Sequence, residues 1–271
     1  MAQMHVSQIH IIGGASDTFV QPVVRRISTR DVLDALARGL RDFAAMPSHV
    51  VFLCLIYPAV GVFLGASLYG QNMLPLLYPL AAGFALVGPV AAIGLYEMSR
   101  RREMGLSTEW KHAFAVTRSP SLPAILALGA LLMVLLLVWL ALAQWLYQSL
   151  FDVLAPVSMP AFLYEVATTE AGWRLMLWGN AIGFAFAVVA LAIGVVSFPL
   201  LLDRDVGAAS ALTTSVRAVI RNPIPMAAWG LIVAGLLLVG SLPAFVGLAV
   251  VMPVLGHATW HLYRKVVESP V

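Results

Sequence analysis

LPAILALGALLMVLLLVWLALAQWLY, residues 122–147, lies between Arg118 and Asp152 with no Asp, Glu, Lys or Arg inside it. A helix of about 20 residues crosses the hydrocarbon core of a bilayer, and a charge at its centre costs about 2.5–3.5 kcal/mol, so an uncharged apolar run of this length reads as a membrane span. The rest of the chain agrees: of 271 residues 61% are hydrophobic and 11% charged, with a mean hydropathy of +0.91, against about one-quarter charged in ordinary soluble domains. Cys54 is the single cysteine, which excludes an intrachain disulfide framework and a Cys-based metal site; inside its apolar run it reads as a small buried residue. The N-terminus, MAQMHVSQIHIIGGASD, has no basic region ahead of its short apolar stretch and does not read as a cleaved signal peptide. Residues 1–24 are expected to form a flexible cytoplasmic tail before one membrane domain over 25–267.

Working outward, the windows free of Asp, Glu, Lys and Arg are 43–96, 119–151, 175–202 and 222–263, long enough for two, one, one and two spans. Turn residues divide the two long windows at Gly70-Gln71-Asn72 with Pro75, and at Gly240-Ser241-Leu242-Pro243. The expected fold is therefore all-α and polytopic, with six transmembrane helices near 49–69, 74–97, 122–147, 174–202, 225–241 and 243–262, paired into three hairpins. All sixteen Lys and Arg except Arg174 fall on one side of this arrangement, and basic residues near span ends stay in the cytoplasm, so both termini are expected there. The long outer loop, 148–173, is flanked by Trp139, Trp145, Tyr147, Trp173 and Trp178, which read as an interfacial aromatic belt, and PAFLYEVA from Pro160 reads as a short surface helix.

Each hairpin is expected to be preceded by a cytoplasmic amphipathic helix and a proline junction, which suggests one plan used three times. In the first, Ser28 and Asp31 have capping-box spacing, Val32, Leu36, Leu40 and Phe43 form the apolar stripe, and Asp34, Arg38, Arg41 and Asp42 fall elsewhere before Met46-Pro47. In the second, Ser107 caps a helix carrying Trp110 and Phe114 that closes at Ser119-Pro120; in the third, Val206, Leu212, Val216 and Val219 precede Asn222-Pro223. The second span of each hairpin contains a proline, Pro89, Pro199 and Pro253, expected to kink it. Gly61-x-x-x-Gly65 and Gly179-x-x-x-Gly183 would allow close helix approach.

Three segments carry a family resemblance: VGPVAAIGLYEMSRRREMG at 87–105, SFPLLLDRDVGAASALTTSVRAVIRNP at 197–223, and VVMPVLGHATWHLYRKV at 250–266. The chain resembles, over roughly residues 25–267, the bacterial integral-membrane family catalogued as domain of unknown function 2189. The resemblance implies a bacterial inner membrane location and no established activity. Some members are labelled putative cytochrome c oxidase subunit I, a chemistry that needs about six intramembrane histidines. This chain has six in all, of which His5, His10 and His112 lie in the tail or a loop. The remaining His49, His257 and His261 are too few for that oxidase.

The polar residues to weigh are Glu97, Asn180, Asp203, His257 and His261, most of them near the cytoplasmic ends of spans. Glu97 and Asp203 stand beside Arg100 and Arg204 and read as interfacial ion pairs. His257 and His261, at i and i+4, share a helix face and with His49 are the weak candidates for a ligand; no metal or cofactor is expected. No catalytic fingerprint is present: there is no G-x-S-x-G, H-E-x-x-H, phosphate-binding loop or dinucleotide motif. The sequence reads as a non-enzymatic accessory or scaffold protein acting through lipid or protein contacts, with a membrane-protein partner or a second copy of itself and no nucleic acid. A small transporter and a haem- or metal-binding respiratory accessory protein are the alternatives.

Overall fold

The computed structural model describes residues 22–46, 74–151, 159–243 and 246–268, together with Gly61, Val62 and Gly65. The expected tail up to residue 21, the first span near 49–69 apart from Gly61, Val62 and Gly65, the turn at 70–72, His49 and Cys54 lie outside the described residues. Within them the regular structure is helical apart from one antiparallel bridge, Val24 to Val267.

Helix α1, Thr29–Ala45, begins as its spacing predicts: the Ser28 hydroxyl accepts from the Asp31 amide while the Asp31 carboxylate accepts from the Ser28 amide at 2.9 Å. It stops at Met46, before Pro47. Four helices are long and apolar enough to cross a membrane by length and composition. They are α2 (Leu77–Glu103), α3 (Leu122–Leu150), α5 (Glu170–Asp203) and α7 (Pro223–Ser241). Between them lie a 3-10 helix (Trp110–Arg118), the short α4 (Met159–Thr168) that PAFLYEVA anticipates, and α6 (Gly207–Arg221). The last helix, α8 (Leu248–Val266), falls short of that apolarity because two histidines, Thr259, Arg264 and Lys265 occupy its second half.

Two of the three prolines break their helices rather than kink them. Pro89 stands at the start of a new segment of α2 after a 3-10 turn at Ala85–Val87, and Pro199 stands in the first turn of the second part of α5, Ser197–Asp203. A first turn has no intrahelical use for the missing N–H, so proline costs little there. At the α5 break the Val196 amide instead donates to the Ser215 hydroxyl of α6 at 3.2 Å. Only Pro253 lies inside a continuous helix.

The buried face of α1 overlaps the expected stripe only in part: Val32 is buried and Leu36 and Phe43 pack half-buried on the core, but the centre of the face is made of smaller residues. Val32, Ala35, Gly39, Asp42 and Met46 are buried, at alternating spacings of three and four, while Leu40 is 50% exposed. Small residues at the centre let α1 lie almost backbone to backbone on α8: a Cβ at Gly39 would sit 2.6 Å from the Ala258 nitrogen. Helix α6 repeats the device, burying Gly207, Ala211, Ser215 and Ala218. When Pro47 is set against Pro223, Ala35, Gly39, Asp42 and Met46 fall on Ala211, Ser215, Ala218 and Asn222. Three contacts follow one rule: α1 packs on α8, the 3-10 helix on the last segment of α2, and α6 on the broken end of α5.

The two described ends of the chain meet at this end of the bundle. The Arg25 amide donates to the Val266 carbonyl at 2.7 Å and the Glu268 amide to Val23 at 3.0 Å. Asn222 braces the junction, accepting from the Ile27 amide at 2.8 Å and donating to the Arg25 carbonyl at 3.0 Å. Of the expected aromatic belt, Trp145, Trp173 and Trp178 are exposed. Trp139 and Tyr147 are buried instead: Trp139 donates to the Pro79 carbonyl at 2.8 Å, and Tyr147 stacks on Phe151 at 5.0 Å. Gly183 presses on Trp139, with a Cβ there only 3.0 Å from the indole, so that glycine does serve a close approach of α5 to α3.

Candidate functional site

Two close crossings bring a buried polar cluster together where α1, α2 and α8 meet. Gly39 lets α1 reach α8, and one turn further on Asp42 enters the junction. Gly256 lets α8 reach α2, since a Cβ there would lie 2.6 Å from Leu95 Cδ1, and the residues just beyond this contact are Ser99 and His257. Asp42 is 5% exposed, Ser99 and His257 not at all. The Ser99 hydroxyl donates to the Asp42 carboxylate at 2.6 Å and lies 2.7 Å from His257 Nδ1. His261 Nε2 reaches the same Asp42 oxygen at 2.9 Å, and Arg102 binds the other.

Proton bookkeeping assigns the roles. A hydroxyl has one proton, and Ser99 spends it on the Asp42 carboxylate, so His257 presents Nδ1–H to the serine oxygen. Burial pushes the Asp42 carboxyl up, but the hydrogen bonds from His261 and Ser99 outweigh it and hold the group below its ordinary value. The two histidines thus share a face but not a target: one serves Ser99, the other Asp42. Among the described residues no three His, Cys, Asp or Glu side chains are grouped so as to hold a metal.

Around this cluster runs a lattice of ion pairs. Glu97, almost wholly buried, accepts two hydrogen bonds from Arg100, at 2.8 and 3.3 Å, with Arg101 at 3.8 Å. Asp203 accepts from the Tyr263 hydroxyl at 2.6 Å and lies 3.5 Å from Arg204 and 3.6 Å from Arg264. Glu103 joins Trp260 Nε1 at 2.9 Å to Arg264 at 3.1 Å. Lys265 bridges Asp31 at 3.1 Å and Asp34 at 2.9 Å, and Asp34, bonded by Lys265 and then Arg38, is held down to about 2. The pairing of Glu97 and Asp203 with neighbouring arginines is as their spacing predicts. Asn180 lies apart on α5, accepting from the Tyr78 hydroxyl at 2.7 Å and donating to the Met176 carbonyl.

Between α1 and the ends of α2 and α8 opens a cavity of about 340 Å³. Arg38, Asp42, Ser99, Arg102, Glu103, His261, Arg264 and Lys265 line it. Of the polar site candidates weighed from sequence, only His261 borders this space; Arg38 and Asp42, read from sequence only as the polar side of α1, border it too. Asp42 is the informative omission, for it lies on the same three-four stripe as Ala35, Gly39 and Met46, and a carboxylate on a small-residue stripe is a signal that can be read. Ser99 carries no such signal.

Residues 77–203 match the model of the family described as predicted integral membrane protein (DUF2189). That range contains the resemblance segment 87–105 and the start of 197–223, while 250–266 lies beyond it. Neither a curated protein nor a solved structure matches the chain.

Proposed function

We propose that this integral membrane protein is a six-span, non-enzymatic scaffold of the bacterial inner membrane, with both termini in the cytoplasm, working through contacts with lipid or with a membrane-protein partner. The observation that carries the reading is the order in which the peripheral segments pack. The 3-10 helix and α6 each cover the end of the span just before them, and α1 closes the circle on the last helix, α8. Three hairpins, each handing an amphipathic segment to its neighbour, would produce this circle; the first span of the first hairpin lies outside the described residues. The matched small-residue faces of α1 and α6 support the same plan.

The polar groups also suit a scaffold better than a conduit. Asp42, Ser99, His257, Glu97 and Asp203 bind one another or neighbouring arginines, and Asn180 is tied to Tyr78 across two spans. Groups so committed stiffen a bundle, whereas a permeation path presents polar groups to its passenger. Topology is tested by single cysteines in a Cys54→Ser background, labelled on intact cells with a membrane-impermeant maleimide. Ser149→Cys and Glu165→Cys should react, whereas Ser28→Cys, Thr108→Cys and Thr213→Cys should react only after permeabilisation. The reverse pattern would overturn the orientation, and a split within either group would overturn the six-span arrangement.

A further inference from the structure

The cavity between α1, α2 and α8 is more cationic than its own lining balances. Arg38, Arg102, Arg264 and Lys265 face it against two carboxylates, Asp42 and Glu103. Helices α2 and α8 end here, and each C-terminus adds about half a negative charge. Asp31, Asp34 and Asp203 balance three of these cations from outside the lining, so what the site offers a guest is hydrogen-bond donors rather than a surplus of charge. Each guanidinium carries five N–H donors, and these carboxylates engage Nε of Arg38, Nη1 of Arg102, and Nε and Nη1 of Arg264. The forks therefore retain donors for a guest.

Shape and depth point the same way. The floor is Asp42, Ser99 and His261, with side-chain exposures of 7% for Asp42 and 13% for His261, while Arg38 and Arg102 at the rim are 50% and 41% exposed. A volume near 340 Å³ lies within the range of about 300–1,000 Å³ usual for small-molecule sites. Three planar forks and an ammonium match a tetrahedral oxyanion, which guanidinium binds through paired N–H groups. We infer that this cavity binds a phosphate group, carried either by an anionic phospholipid of the cytoplasmic leaflet or by a soluble phosphate ester. The lipid source rests on the orientation proposed above, because only then does the rim lie at the level of the inner headgroups.

The full chain would be released from phosphatidylcholine vesicles containing phosphatidylglycerol and weighed by native mass spectrometry, with glycerol 3-phosphate titrated separately by calorimetry. The wild-type protein should retain phosphatidylglycerol over phosphatidylcholine, or bind glycerol 3-phosphate, and which of the two it does identifies the source. Arg38→Gln with Arg264→Gln should weaken that binding at least tenfold. Arg38→Lys with Arg264→Lys should recover part of it, and Arg41→Gln, on the exposed face of α1, should leave it unchanged. Retention of neither probe overturns the inference, as does equal retention by the glutamine pair or an equal loss in Arg41→Gln. Maleimide labelling of the same variants separates this failure from that of the scaffold reading: an unchanged pattern with no binding sinks the site alone.

Discussion

A methyl group at residue 39 would meet backbone, whereas one at residue 256 would meet the side chain of a leucine. The Gly39 Cβ position lies 2.6 Å from the Ala258 nitrogen and 2.7 Å from the Val254 carbonyl oxygen, neither of which can turn aside; at Gly256 the nearest atom is Leu95 Cδ1, which can change rotamer, and the fixed Leu95 Cβ stands further off at 3.0 Å. Overpacking typically costs about 1–3 kcal/mol. Gly39→Ala should fall at the upper end and Gly256→Ala at the lower, compared by thermal unfolding in one detergent; equal losses would refute the backbone argument. Asp42→Ala should do more harm than either, because it strands the hydroxyl of Ser99, the imidazole of His261 and the guanidinium of Arg102 at once. Removing one member of a buried charged pair costs roughly 3–5 kcal/mol; Arg102 is 41% exposed and recovers part of that from water, so about 3 kcal/mol is expected. Ser99→Ala, which removes one hydroxyl and leaves the charge pairing, should cost less than half as much. Asp42 was hidden in the sequence because the large apolar residues Leu36, Leu40 and Phe43 suggest a different buried face. Close approach is governed by small side chains, and a pattern of large ones does not report it.

At the scale of elements, the apolar helices were legible because charge is so costly inside a bilayer that its absence is nearly sufficient evidence. The windows at 119–151 and 175–202 became α3 and most of α5, and the capping residues of α1 set its first turn as expected. What composition did not convey is α8, where twelve of the 19 residues are buried, the polar His257 and Thr259 among them. Its environment comes mostly from α1 and α2, both distant in sequence, with α7 and the end of α5 completing it. The clasp of α1 on α8 carries a pH dependence of definite sign. Asp34 is held down to about 2 from 3.8, chiefly by Lys265, and Asp31 is lowered by Ser28 and Lys265. A carboxylate with a depressed folded value stabilises the fold above its unfolded value, and that contribution disappears as pH falls through the depressed one. The clasp should therefore be constant from about pH 5 upward and loosen between about pH 4 and 2. Spin labels at Ala37→Cys and Thr213→Cys in a Cys54→Ser background would show it as a distance distribution that broadens only in acid. A distribution that stays narrow at pH 2, or broadens already at pH 6, would contradict this.

Across the whole molecule, the elements farthest apart in sequence are the most extensively packed. Helix α1 lies on α8, the bridge of Val24 to Val267 joins the two described ends, and Asn222 binds both the Arg25 carbonyl and the Ile27 amide. The chain is thus closed on itself without a covalent link, and the loop that connects α3 to α4 is not what keeps the halves together at this end. If so, a chain divided in that loop should reassemble. Residues 1–151 and 159–271, expressed together as separate polypeptides with a tag on the second, should co-purify from mild detergent in equal amounts. The contacts to break are those of the clasp: Gly39→Leu with Asp42→Ala in the first piece removes the close approach and the shared carboxylate. That variant should lower recovery of the untagged piece several-fold while leaving each piece in the membrane. Loss of recovery already in the unmodified pair would mean that the loop connection holds the halves together. Full recovery in the doubly substituted pair would shift the weight to the apolar contacts of α3 with α5, which also cross the division.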